Sequence, residues 1–454
     1  MADFSERNHF MKQILVLGAG LSAKRLVDYF LNNAENHEWF ITLADIDKAL
    51  AEKKINNSPD GLAVGLDVKN EAAIADLIRN KDIVVSLLPA IFHDKIAAEC
   101  LKQGVNMATA SYVSPAMKAI DKEVKAKGLS FLNELGVDPG IDHMSAMQVI
   151  DKIRNKGGKL TSFYSFTGGL IAPESDTNPW HYKFTWNPRN VVLAGQGVSQ
   201  FIKNGQYKYI PYHKLFDRIL EREVPGFGKF EIYPNRDSLK YRRIYKLDDI
   251  QSMYRGTMRR PGFAKAWNVF VQLGCTDDSY TLEESETMTF RAFINTFLRY
   301  APHRPVEEKI VEYLHLDPDG EVMEKLKWLG IFEDKVIGLP HATPAQILQK
   351  ILIEKWSLNP EDKDMIVMQH EFEYELAGKK YQITSSMAFI GKDTVDTAMA
   401  FTVGTPLAIA VKLLLTGKIK SKGVLIPTQP EFYDPILKEL KEYGLNFVEN
   451  EVEL

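Results

Sequence analysis

Two glycines one residue apart, followed three positions later by a small alanine, give the chain its first chemically suggestive spacing: Gly18-Ala19-Gly20-Leu21-Ser22-Ala23. In such a G-x-G-x-x-A turn Gly18 permits a sharp reversal, Gly20 lets backbone approach a pyrophosphate, and Ala23 lets a helix pack closely on a strand. Free amides at the helix start, aided by the dipole, would hold the phosphates. Asp45 stands 25 residues after Gly20, where a carboxylate accepts hydrogen bonds from the adenosine ribose and repels the 2′-phosphate of NADP. On that reading the cofactor is NAD, with NADP the less favoured; an acidic residue in an exposed turn is the rival reading, and neighbouring Asp47 suits that role. Further along, Arg236 in PNRDS and Arg259 in RGTMRRPGF sit beside Pro and Gly. Arginine forks bind carboxylates in bidentate fashion, so substrate carboxylates are their expected partners and a surface ion pair the alternative. His370-Glu371 lacks the second histidine of a zinc-protease motif, and no metal is expected.

These residues need elements to position them. Ile14 to Leu17 reads as a buried strand, and Ala23, Leu26, Val27, Phe30 and Leu31 recur at helical spacing after the turn. Further strands are expected at Trp39 to Ala44, Gly61 to Leu66, Asp82 to Leu88, Val105 to Ala110 and Leu129 to Leu132. Near-continuous apolar runs alternating with helical segments require a parallel sheet covered on both faces. Six strands in about 130 residues complete a doubly wound Rossmann domain. Its carboxyl-end loops include Leu87-Leu88-Pro89, Thr109 to Met117, and Asn133 to His143, places where loops carry function. From Thr161 to about Trp186 the chain is rich in aromatics, Gly, Pro and Ser, which suits a pocket wall better than a helix. A helical, charged insertion is expected at about 283–356. Asp364 to Gly391 alternates around Ala377-Gly378 as a hairpin, and Thr394 to Thr416 is an apolar helix that could return to cover the nucleotide domain, followed by a strand-like Gly423 to Pro427. The expected division is 1–139 plus about 393–454 for the nucleotide domain and 140–392 for a mixed α/β substrate domain.

Composition narrows the classes. The chain has 454 residues, 45% hydrophobic and 26% charged, with a formal net charge of −4; two or three domains are the prior for that length. Basic residues are scattered, which argues against nucleic acid or an anionic membrane surface. No apolar run is expected to reach the ~18 residues of a membrane span. The first ten residues read as a dispensable extension, with translation starting at Met1 or Met11, and a cytoplasmic location is the simplest expectation. Cys100 and Cys275 are too few and too far apart for a metal cluster or a disulfide framework, and are expected to be buried and inert.

The segments SLLPAIFH, ATASYVSPAM, ELGVDPGIDHM, GGLIAPES with NPWHYKFTW, YPNRDS, RGTMR, KDMIVMQHEF and TVGTPLAIAVKLLLTGKI, followed by KGVLIP, cover the chain from about Lys12 to Pro435. Their order and content resemble saccharopine dehydrogenases of the L-glutamate-forming type. The resemblance implies an enzyme that interconverts saccharopine with glutamate and 2-aminoadipate 6-semialdehyde in lysine metabolism, through an imine. It implies a homodimer whose substrate domain also dimerises. The cofactor set is then Gly18, Gly20, Leu21, Ser22, Asp45, Ile46, Asp67, Val68, Leu87, Leu88, Pro89 and Ser111. Ser111, Tyr112, Asp138, Thr167, Arg236, Thr257, Met258 and Arg259 border the substrate, and Asp138 or Tyr112 assists proton transfer. Fungal members, which use NADP, resemble a Cys-Arg pair where this chain has Asp45-Ile46; in that respect the chain is similar to the dehydrogenase half of the animal bifunctional enzyme, which uses NAD. Thr167 stands where the family commonly shows Cys. Rival readings are a related amine-forming reductase, of the carboxynorspermidine dehydrogenase or homospermidine synthase type, and a catalytically silent NAD-binding protein.

Overall fold

The computed structural model describes residues 11–454; the extension expected over the first ten residues lies outside them. The chain divides into two compact units, one running to Asn155 and resuming at Val395–Asn446, the other Lys156–Thr394 with Phe447–Leu454.

The first unit is built on a parallel sheet. Its strands are β1 (Lys12–Leu17), β2 (Trp39–Asp45), β3 (Gly61–Gly65), β4 (Ile83–Ser86), β5 (Asn106–Thr109) and β6 (Ser130–Leu132), with a returning strand Gly423–Leu425. Their spatial order is Gly423–Leu425, β6, β5, β4, β1, β2, β3, and every pairing is parallel. Ile14 to Leu17 and Ile83 to Val85 are almost wholly buried, as a sheet sandwiched between helices demands. The order reverses between β1 and β4, so the carboxyl ends of these two strands flank the crevice in which doubly wound folds take their ligands.

Contrary to the expectation from sequence, one helix, Ala398–Leu415, is long and apolar enough to cross a membrane, yet 72% of it is buried inside the protein. It packs on the helix Ala23–His37 that follows the glycine turn. Gly404 allows the approach: a Cβ there would lie 2.8 Å from the Ser22 carbonyl oxygen and 3.0 Å from the Leu26 nitrogen.

The second unit carries a mixed sheet. Its strands are β7 (Lys159–Ile171), β8 (Val198–Lys203), β9 (Gln206–Pro211), β10 (Leu220–Val224), β11 (Gly228–Pro234), β12 (Ser252–Arg259), β13 (Asp364–Leu376) and β14 (Lys379–Ile390), closed by Val448–Glu453. The order is β10, β11, β12, β7, β13, β14, Val448–Glu453, with β8 joining β12 to β9. Only β12 with β7 is a parallel pair. The β13–β14 hairpin turns at Ala377 and Gly378, both at positive φ. Helices Phe290–Thr296, Val306–Leu314, Glu321–Trp328 and Pro344–Trp356 make up the expected insertion. They share one core with the sheet, in which Trp180 stacks edge-on to Trp356 at 5.2 Å. The aromatic stretch expected as a pocket wall thus places Trp180 and Tyr182 in this core, fully buried.

Two expected boundaries move. Ile141–Asn155 stays with the first unit, where Asp151 accepts a hydrogen bond from the Tyr433 hydroxyl at 2.8 Å. The last strand leaves that unit to pair with β14 along Tyr381 to Ser386. Both cysteines are buried, and burial pushes both thiols up.

Candidate active site

The glycine turn occupies the crevice end of β1. Gly18 adopts φ +101, and a Cβ on it would lie 3.2 Å from the backbone carbonyl of Leu87, so its glycine is required by both conformation and contact. Around Gly20 nothing lies within 4 Å of where a Cβ would be. That open space beside the first amides of Ala23–His37 accommodates the backbone approach of a pyrophosphate. Ser22 gives this helix no side-chain cap; the Ala23 and Lys24 amides donate to the Gly20 and Leu21 carbonyls at 3.1 and 3.4 Å, so what the turn offers a phosphate is its open backbone at Gly20 and the positive end of the helix dipole. Leu21 and Ile46 are 70% and 78% exposed. Leu87, Leu88 and Pro89 follow β4 at the same edge. The residues present therefore fit a dinucleotide.

Asp45 does something the sequence reading did not anticipate. Its Oδ2 accepts from the Ala19 amide at 2.6 Å and its Oδ1 from the Asp47 amide at 2.9 Å. The carboxylate thus braces the glycine turn. Asp67 likewise accepts from the Lys69 amide at 2.9 Å, in a turn with half-buried Val68.

Beyond β5 and β6 two loops are stitched together. The Glu134 amide donates to the Ser111 carbonyl at 3.0 Å, and the Val113 amide donates to Glu134 Oε1 at 3.0 Å. Glu134 Oε2 meets His143 Nε2 at 2.9 Å, both side chains being buried. Asp142 accepts from the Gly140 amide at 2.6 Å. On this base Tyr112, 47% exposed, donates its hydroxyl to Asp138 Oδ1 at 3.2 Å, bringing together two residues expected to assist proton transfer. A phenol held on a carboxylate can shuttle a proton between a substrate atom and the carboxylate. Ser111 meets His93 Nε2 at 2.8 Å, and the other ring nitrogen meets Ser86 at 2.9 Å. Glu134, His143 and His93 were not singled out from sequence. Their only signal was an ionisable residue within otherwise apolar or small-residue runs.

In the second unit the expected residues fall on adjoining strands. Thr257 of β12 stands beside Thr167 of β7 and across from Tyr233 of β11. Alternation along a strand puts Thr257 and Arg259 on one face with Thr167. The Thr257 hydroxyl donates to Asn235 Oδ1 at 2.7 Å, which ties the PNRDS loop to β12. Arg236, just past β11, is exposed and has no ion-pair partner among the described residues. Met258 points to the other face, where its side chain is part of the core and lies close to Gly168.

Arg259 is the unusual member. It is 3% exposed, and its guanidinium lies 4.8 Å from the Tyr182 ring, 5.4 Å from Phe263 and 5.8 Å from Tyr233. Its Nη1 donates to the Met258 carbonyl, while its Nε has no acceptor, and no carboxylate pairs with it among the described residues. The Thr167 hydroxyl is also buried without a partner. Glu231 pairs with Arg259 in strand register, but its carboxylate is spent on the amides of Gly262 and Ala264, and burial raises its pKa. A buried cation in aromatic surroundings without a counter-ion costs free energy that an arriving carboxylate would offset.

In comparison with known proteins, two family models match successive stretches of the chain. Residues 14–132 match the family model of the saccharopine dehydrogenase NADP binding domain, and residues 136–445 that of the saccharopine dehydrogenase C-terminal domain. Saccharopine dehydrogenase [NADP(+), L-glutamate-forming] of Saccharomyces cerevisiae is 33% identical, over 97% of this chain and 99% of its own. The mitochondrial alpha-aminoadipic semialdehyde synthase of Mus musculus is 36% identical over 96% of this chain. The chain spans about half of that longer relative (47%). The apo saccharopine dehydrogenase (L-Glu forming) structure from Saccharomyces cerevisiae superposes with a TM-score of 0.88 at 32% identity, over 97% of this chain and 100% of that one. A homospermidine synthase from Legionella pneumophila shares the fold alone, with a TM-score of 0.54 at 9% identity, covering 98% of this chain and 92% of that one.

These findings overturn the expected NAD preference. The matching nucleotide-domain model is an NADP-binding one, and the fungal relatives are named for NADP(+). The physical reason lies with Asp45: a carboxylate held by the Ala19 amide of the glycine turn and by the Asp47 amide of its own loop is a structural brace, so its position after β2 does not by itself select against a 2′-phosphate.

Proposed function

The chain belongs to the saccharopine dehydrogenase family, and from that premise we propose that it is an oxidoreductase of lysine metabolism that interconverts saccharopine with L-glutamate and 2-aminoadipate 6-semialdehyde, with NADP as cofactor. The observation that carries the substrate assignment is Arg259, a buried guanidinium with no carboxylate of its own. Saccharopine is a tricarboxylate with a secondary amine, and an anion is what this position lacks. Arg236 and the Thr257 and Thr167 hydroxyls are proposed as further contacts to the same substrate. NADP would supply the hydride acceptor, and the Gly18–Gly20 turn, the N-terminal end of Ala23–His37 and the backbone of Leu87 to Pro89 would hold it. Ser111 completes the nicotinamide end.

The chain's own residues then handle protons. Oxidation of the secondary amine gives an imine, and water must add to the imine carbon before the C–N bond breaks. The Asp138 carboxylate takes a proton from that water, and Tyr112 Oη, bonded to Asp138 Oδ1, passes it to the departing amine nitrogen. Positioning by the arginines contributes through proximity. The test is reduced-cofactor formation from saccharopine with NADP, run beside carboxynorspermidine and homospermidine. Turnover of saccharopine is expected. Turnover of either control in its place would replace the substrate assignment, and turnover of none would remove the enzymatic reading.

A further inference from the structure

The imidazole of His93 lies just past the carboxyl end of β4, inside the first unit, and takes no part in the proton path above. It is buried, as are Ser86 and Thr109, while Ser111 is partly exposed. Its Nδ1 meets Ser86 Oγ at 2.9 Å and its Nε2 meets Ser111 Oγ at 2.8 Å, with Thr109 Oγ1 at 3.3 Å. Burial lowers the pKa of the ring, against an opposing pull from Asp94, so the ring stays neutral near pH 7. A neutral imidazole donates at one nitrogen and accepts at the other. Ser86 and Ser111 are therefore bonded in opposite senses, and Ser86 is fixed at the end of a fully buried strand.

The backbone of Ser111 is held independently of this ring. Its amide donates to Thr109 Oγ1 at 3.2 Å, and its carbonyl accepts from Glu134. The imidazole adds one thing the loop does not otherwise have: its contact with Ser111 Oγ favours one χ1 rotamer and occupies one hydrogen-bonding function of this partly exposed hydroxyl, leaving the other for a ligand. We propose that His93 is a positioning residue that orients the Ser111 hydroxyl toward the reactants through the hydrogen bond from its Nε2 side. The inference rests on the functional reading above for what Ser111 meets, either the nicotinamide carboxamide or the amine nitrogen of the substrate. Both present an N–H group.

A double-mutant cycle tests it, using His93→Leu, Ser111→Ala and their combination, together with His93→Gln, whose amide reaches Ser111 but cannot also bridge to Ser86. Loss of one oriented hydrogen bond lowers kcat/KM about tenfold in each single variant. Because His93 acts through Ser111, the double variant is expected to lose about tenfold also, and His93→Gln to recover most of the activity. Binding of NADPH alone, followed by its fluorescence, distinguishes the two sources: a weakened Kd assigns the carboxamide, and an unchanged Kd with raised saccharopine KM or lowered kcat assigns the amine. Additive losses of about a hundredfold in the double variant, or no loss in Ser111→Ala, would overturn the role of His93. If His93→Leu does not fold, a His93→Gln variant as impaired as Ser111→Ala overturns it equally. Wild-type protein that binds NADPH but turns over no saccharopine overturns the functional reading and this inference with it, whereas wild-type turnover with additive losses overturns this inference alone.

Discussion

Arg259 concentrates the energetic argument at the scale of single residues. Its guanidinium is withdrawn from water among three aromatic rings, which contribute cation–π attraction but no negative charge. A carboxylate forming charged hydrogen bonds there gains roughly 1.5–3 kcal/mol, so Arg259→Ala should raise the KM for saccharopine by about 10- to 100-fold. Arg259→Lys should not restore it, because an ammonium lacks the planar fork. Steady-state kinetics on both variants measures this. Asp138→Asn should lower kcat by about 100-fold or more while Tm stays within a few degrees, since the amide has the shape of the partly exposed carboxylate but cannot take a proton from water. The glycines and arginines could be picked out from sequence because their chemistry is carried by residue type and short spacing. His93 and Glu134 could not, because their meaning lies in partners 18 and 9 positions away, on other elements, and a lone His or Glu in sequence more often marks surface than site. Asp45 shows the converse: the position was readable, but its amide partners were not, and cofactor selectivity inferred from it was wrong.

At the scale of elements, the glycine turn depends on a helix from the far end of the chain. Gly404→Val would force Ala398–Leu415 away from Ser22 and Leu26. Overpacking of this kind costs about 1–3 kcal/mol, and the displaced helix start should weaken NADPH binding as well, which calorimetry and fluorescence titration together would register. The His93 bridge gives a pH dependence whose sign is fixed. The unfolded chain binds a proton at the ordinary histidine pKa of about 6.5, whereas the folded chain resists it. The unfolded state thus holds more protons at acid pH, and stability falls as pH drops through about 6.5. Between about pH 8 and about pH 5, Tm should drop less in His93→Gln than in the wild type. The six strands of the nucleotide sheet were legible because near-continuous apolar runs between glycine and proline turns have few other interpretations. The aromatic stretch from Thr161 was not: both a pocket wall and a core strand call for large rings, and only tertiary packing distinguishes them.

At the scale of the whole molecule, both units are assembled from distant segments, the first closing with Val395–Asn446 and the second with Phe447–Leu454. The return of the C-terminal region to the nucleotide sheet could be expected from the apolar helix and GVLIP. The crossing of the last strand to β14 could not, since VENEVE is exposed throughout and is held by backbone pairing and by contacts such as the Lys379–Glu453 ion pair, which only the fold brings together. In the second unit a buried ion pair, Lys183 with Asp362 at 2.5 Å, fastens the segment after β7 to the approach of β13. Lys183→Ala should cost about 3–5 kcal/mol by stranding Asp362, seen as a lowered denaturant midpoint. The central claim concerns the reaction, and product analysis reaches it most directly. Purified protein incubated with saccharopine and NADP should release L-glutamate and 2-aminoadipate 6-semialdehyde in equal amounts with one NADPH per glutamate, measured by mass spectrometry and absorbance. Absence of glutamate, with saccharopine intact and NADPH binding normal, would contradict the account.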